Sequence, residues 1–125
     1  MILGVGIDIV EVSRIAEILK KYSGRFAQRI FTEEERKYCE SMPDPALHYA
    51  ARFAAKESFV KALGTGFSKG IAWKEICVQR LPSGKPVLQL TGQALREMER
   101  LSVSHVHISL SHTHSHGCAV VVIEG

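Results

Sequence analysis

The stretch PDPALHYAARFAAKESFVKALGTG, residues 43–66, organises the chain around one long helix. Asp44 is placed to cap it, Pro45 suits its first turn, and an alanine-rich helical pattern runs on to Leu63. At 1.5 Å per residue the helix spans about 28 Å. GTGFSKG (64–70) then stops it. Most of the pattern is apolar, yet Glu57 and Lys61 sit four residues apart on a stripe edged by Phe53, Ala54 and Val60.

On the N-terminal side, residues 2–10 (ILGVGIDIV) alternate as a strand. Leu3, Val5, Ile7 and Ile9 make its expected buried side, and Gly4, Gly6 and Asp8 an open opposite side. Ser13 is the expected cap of a helix carrying Ile15, Ile18, Leu19 and Tyr22, which Gly24 ends. TEEE (32–35) is a capping box ahead of a short charged helix. On the C-terminal side, WKEICVQRL and PVLQL flank PSGK as a hairpin. Thr91 opens a further helix, and VSHVHISLS and CAVVVIE close the chain as two more strands. Helices and strands are partly segregated, which favours an α+β fold with an antiparallel-rich sheet, one long helix and several short ones.

The 125 residues suit a single domain, 1–125, with one proper core. A formal charge of +3 argues against wholesale nucleic-acid binding. Cys39, Cys77 and Cys118 are odd in number and widely spaced, as expected of reduced thiols in the cytoplasm. No apolar run reaches the roughly 20 residues of a membrane span, and MILGVGIDIV lacks the basic leader and cleavage site of a signal peptide.

Two metal signals compete. The conspicuous one is HTHSHGC (112–118), where His112, His114 and His116 alternate ahead of Cys118. In one straight strand His112 and Cys118 would lie roughly 20 Å apart, so the four could not share an ion. Gly117 points to a turn, and a polar hairpin turn is the reading preferred. The quieter signal is on oxygen. Asp8 is a carboxylate in an apolar strand, costly unless paired or bound to a metal. Glu57 and Lys61, ahead of GTG, suit a phosphate and its cation. Magnesium takes one or two protein carboxylates plus substrate phosphates, a lysine neutralises developing charge, and glycines let amides approach an anion. Each has an ordinary counterpart: a strand-end cap, a surface i,i+4 ion pair and a helix stop.

Together these residues resemble a known family, the 4′-phosphopantetheinyl transferases. GIDIVEVSRI (6–15) is similar to its G-x-D motif with an arginine six residues on, and IFTEEE (30–35) to its second motif. RFAAKESFVKALGTG (52–66) resembles its K-E-x-x-x-K-A helix and glycine loop, and GKP (84–86) and HISLSHT (107–113) fall in similar places. The resemblance implies transfer of the phosphopantetheine arm of coenzyme A to a serine of apo acyl carrier protein, for fatty acid biosynthesis, with adenosine 3′,5′-bisphosphate as the other product. Carried onto this chain, it implies Asp8 and Glu57 as Mg²⁺ ligands and Lys61 as phosphate contact and leaving-group stabiliser. The base is left open between Glu57 and a water on the metal. It also implies a homotrimer with active sites between subunits. Arg52, Gly64, Gly66, His105, Ser109 and Ser111 become candidates for coenzyme A contacts, and Pro86 for packing near adenine. Residues 14–29 hold Arg14, Lys20, Lys21, Arg25 and Arg29 against Glu17 alone. Arg14, Lys21, Arg25 and Arg29 are therefore the expected docking face for the acidic carrier. Two other classes compete: a non-enzymatic module binding zinc or a polyanion, and a different coenzyme A or nucleotide phosphotransferase.

Overall fold

The computed structural model describes all 125 residues. In chain order they form β1 (Ile2–Glu11), α1 (Val12–Lys21), α2 (Arg25–Ile30), α3 (Glu33–Glu40) and α4 (Pro45–Leu63). A single 3₁₀ turn (Trp73–Glu75), β2 (Ile76–Arg80), β3 (Pro86–Leu90), α5 (Gly92–Arg100), β4 (His105–His112) and β5 (His116–Glu124) follow. The α+β expectation holds. An antiparallel sheet has the order β1-β5-β4, and β2 and β3 form a separate hairpin.

The position of α4 is set by glycines. Gly4 and Gly6 on β1 lie directly under it, and a Cβ added at either would run into the backbone carbonyl of Ala62 or Ser58. Gly117 on β5 does the same further along, where a Cβ would stand 2.7 Å from the Ala51 amide nitrogen. Small residues continue the close fit, with Ala54 and Ala55 packed on Ala119 and Val78. On either side α4 fills larger cores: Phe59, Val60 and Leu63 with Ile76, Val121 and Ile123, and Tyr49 and Ala50 with Ile15 and Phe31.

This inverts the expected sidedness of β1. Its glycine side is the covered one, and its apolar side faces outward, with Val5 59%, Ile7 62% and Ile9 66% exposed. Register places Ile7 beside Val120 and Ser109, and Ile9 beside Cys118 and Ser111. The outer sheet face is thus apolar across β1 and β5 and polar along β4.

Local signals were realised unevenly. Thr32 makes the full capping box with Glu35. Glu11 rather than Ser13 stands at the N-cap of α1, and Asp44 makes no side-chain cap bond although Pro45 opens α4. Gly24, at φ 86°, begins α2 instead of ending α1. The tight turn of the histidine run is 113–115, so His116 and Gly117 belong to β5. No group of three or more His, Cys, Asp or Glu side chains is placed to hold a metal. No helix is long and apolar enough to cross a membrane.

Gly6→Ala tests the close fit. A methyl against the Ser58 carbonyl should cost about 2–3 kcal/mol or more. The thermal midpoint is expected to fall by about 10 °C, read by calorimetry or circular dichroism.

Candidate active site

Because α4 lies so close to β1, side chains some fifty positions apart in sequence meet across the two elements. Lys61 Nζ donates to Asp8 Oδ1 at 3.0 Å and to the Ile7 carbonyl at 3.1 Å. Lys61 is therefore paired with the strand, not with Glu57 one helical turn away. Asp8 is held off solvent, with 18% of its side chain exposed. Glu57, half-buried one turn before Lys61, completes the group. Burial pushes its pKa up, the neighbouring Asp8 charge pushes the same way, and Lys61 opposes both. Two carboxylates competing for one ammonium leave negative charge to be neutralised.

These three side chains line a cleft of 520 Å³. Arg14 and Ile15 from α1, Phe26 from α2 and Phe53 from α4 wall it, with Glu11 and His116 at the strand ends. His116 faces Glu11 across the β1–β5 ladder. Glu11 was not picked out from the sequence, and His116 was named only as part of the histidine run. For His116 the alternation of the run was the available signal, and reading the run as a turn hid it.

The donor set suits a hard cation. Two carboxylates without a third protein ligand match magnesium, which completes its shell with waters and substrate phosphates. An ammonium beside them suits the charge of a pyrophosphate.

Other expected contacts lie elsewhere on the chain. Arg52 is buried, with its guanidinium 4.2 Å from the Tyr38 ring centre and its Nε without a partner. Arg80 approaches the same ring at 5.3 Å. Both line a second cleft, of 370 Å³, with Glu34 and Gln79. Arg80 and Tyr38 were missed because two arginines on one tyrosine come from three separate elements. His105, Ser109 and Ser111 are exposed on the outer side of β4, and Pro86 starts β3 half-buried. Gly64 (φ 80°) and Gly66 (φ 57°) take left-handed conformations, and their amides donate to the Lys61 and Val60 carbonyls. Those amides cap the helix, so the anion-binding part expected of them is taken up. A Cβ at either glycine would meet open space. Arg14, Lys21, Arg25 and Arg29 are all exposed on α1 and α2, and of these Arg14 also reaches the cleft.

Fold and site together define an α+β enzyme with an acidic, lysine-bearing cleft suited to a phosphorylated substrate. Residues 4–121 match the model of the 4′-phosphopantetheinyl transferase superfamily, and the chain belongs to that family. The holo-[acyl-carrier-protein] synthase of Syntrophus aciditrophicus is 48% identical over 125 residues, covering all of this chain and 98% of that protein. The crystal structure of the Neisseria meningitidis holo-[acyl-carrier-protein] synthase superposes with a TM-score of 0.90 at 38% identity, covering both chains fully. That of the Bacillus anthracis synthase, in complex with CoA (3′,5′-ADP), gives 0.82 at 37% identity, covering all of this chain and 98% of that one.

Asp8→Asn removes the like charge beside Glu57. The Glu57 pKa is expected to move down toward the ordinary glutamate range, stopping short because burial remains. Carboxyl-carbon NMR titration of the metal-free protein reads it; an unmoved or raised value would contradict the coupling.

Proposed function

We propose that this chain transfers the 4′-phosphopantetheine group of coenzyme A to a serine of an apo acyl carrier protein, with Mg²⁺, in fatty acid biosynthesis. The convergence of Asp8, Glu57 and Lys61 on one cleft carries the reading. It is supported by membership of the transferase superfamily and by the coenzyme A complex of a similar protein.

The serine Oγ attacks the phosphorus that bears the pantetheine arm. The bond from that phosphorus to the bridging oxygen breaks, and adenosine 3′,5′-bisphosphate leaves with the electron pair. Held by Asp8 and Glu57, Mg²⁺ would supply positive charge against the pyrophosphate oxygens. Lys61, fixed by Asp8 and the Ile7 carbonyl, faces the leaving oxygen and stabilises or protonates it. Glu57, at the cleft beside Asp8 and Lys61, is the chain's own acceptor for the serine proton. Arg14, at the cleft rim, and Lys21, Arg25 and Arg29 beyond it face the acidic carrier.

The remaining contacts fit a site shared between subunits. Arg52 lines a different cleft from Glu57, and His105, Ser109 and Ser111 sit on the outer sheet face. Packing that face, with exposed Val5, Ile7 and Ile9, against further copies in a homotrimer would carry the polar edge of β4 to a neighbour's cleft. Pro86, Gly64 and Gly66 then border coenzyme A. Cys39, Cys77 and Cys118 are all unpaired, in keeping with a cytoplasmic enzyme.

Incubation with coenzyme A, Mg²⁺ and apo carrier should add the mass of one phosphopantetheine to the carrier, and excess EDTA should stop the reaction. Asp8→Ala and Glu57→Ala are expected to lower the rate about 100-fold or more, the order of losing a transition-state charge contact. Arg14→Glu should raise KM for the carrier about tenfold and leave KM for coenzyme A unchanged, since rim charges act on encounter. No mass gain with the wild-type protein would overturn the reading. Ile7→Lys should convert trimer to monomer by light scattering, because a charge would then sit in the buried contact.

A further inference from the structure

Lys56, beside Glu57 in sequence, turns into the protein. Its side chain is fully buried and donates to three oxygens: Glu35 Oε1 at 2.7 Å, the Ile30 carbonyl at 3.0 Å and the Trp73 carbonyl at 3.2 Å. The ammonium also lies 5.3 Å from the centre of the Phe31 ring. Glu35 is equally buried and fully used, accepting from Thr32 N at Oε1 and from Val78 N at Oε2. Burial pulls the Lys56 pKa down, and Glu35 pushes it back up.

The partners of this knot are specific. The Ile30 carbonyl belongs to the last residue of α2, where helix carbonyls lack intrahelical donors. Phe31, which follows, meets Phe26 edge-on at 6.1 Å, and Phe26 stands 6.2 Å from Phe53. Trp73, whose carbonyl is held as well, stacks on Phe53 at 4.9 Å. Phe26 and Phe53 are the aromatic wall of the cleft, and α2 carries Arg25 and Arg29. Glu57 and Lys61, by contrast, owe their places to the close packing of α4 on Gly4 and Gly6 and to the bonds to Asp8 and Ile7.

We infer that the buried Lys56–Glu35 pair is a positioning device for the carrier side of the cleft. It clamps the end of α2 and the Trp73 turn to α4, so that Phe26, Arg25 and Arg29 are presented to the incoming carrier in one fixed arrangement. A buried ion pair adds little net stability over apolar substitutes, whereas losing one partner strands a charge. Its use here is a fixed geometry, and the inference rests on the transferase reading above.

The test compares Lys56→Met, Glu35→Gln and the double variant in the transfer assay, with thermal midpoints and hydrogen exchange alongside. Lys56→Met alone should be strongly destabilised by the stranded carboxylate. Restoring charge balance in the double variant should recover most of the midpoint. Its KM for the carrier should stay raised about tenfold, with kcat and KM for coenzyme A near wild type and faster exchange over residues 25–35. Glu35→Gln, which keeps an oxygen for Val78 N, should shift carrier KM in the same direction, and it decides the matter if the double variant does not fold. Wild-type carrier KM in a folded variant, or a loss spread equally over both substrates, would overturn the positioning role. An inactive wild-type protein would instead overturn the transferase reading.

Discussion

The backbone-to-backbone approach of α4 to the sheet is the constraint on which the rest depends. Gly4 and Gly6 on β1 and Gly117 on β5 have no Cβ, so at those positions the helix backbone lies directly on the strands. That contact brings Lys61 within hydrogen-bond reach of Asp8 and the Ile7 carbonyl, although more than fifty residues separate them. A wider separation set by larger core side chains would leave a lysine and an aspartate to reach across a gap. The glycines therefore set the geometry of the charged cleft, and the larger side chains of α4 fill the cores on either side of it.

Two lysines on the same helix illustrate how one element serves two ends. Lys61 is half-exposed, and it neutralises one of two carboxylates in the cleft. Lys56 points the other way, and it ties α4 to the α2–α3 corner, the Trp73 turn and β2 through Glu35. The i,i+4 spacing of Glu57 and Lys61 suggested a surface pair. The structure gives Lys61 to Asp8 and leaves Glu57 with a raised affinity for a proton. Both outcomes follow from position relative to β1, which spacing along one helix does not encode.

Much of the fold was legible, and the failures share a cause. Helix and strand periods, the capping box at Thr32 and the hairpin around PSGK all act within a few residues, and all formed. Alternation in β1 identified two faces but not which one the helix covers. The apolar face was the natural choice for burial, yet here glycine admits the helix, and Val5, Ile7 and Ile9 are left outside. An outward apolar face is what a second copy would cover, so the inversion supports the proposed assembly. The histidine run was read as a turn, and the turn falls at 113–115, but its extent was not legible. The ladder takes in His116 and Gly117 and sends His116 to the cleft mouth, leaving His112 and His114 exposed. Asp8 and Glu57 were legible as chemistry because charge in an apolar setting is costly. Arg80 and Tyr38 were not, because their meeting with Arg52 is purely tertiary.

In the proposed assembly two copies of this chain make one site, Glu57 coming from one and Arg52 and His105 from the other. Subunit mixing tests it most directly. Glu57→Ala and Arg52→Ala/His105→Ala proteins, each inactive alone, would be dissociated and reassociated together, with native mass spectrometry to verify mixed trimers. Transfer to the carrier should return in the mixture, because some interfaces then combine an intact Glu57 with an intact Arg52 and His105. Mixed trimers that remain inactive would contradict a site shared between subunits.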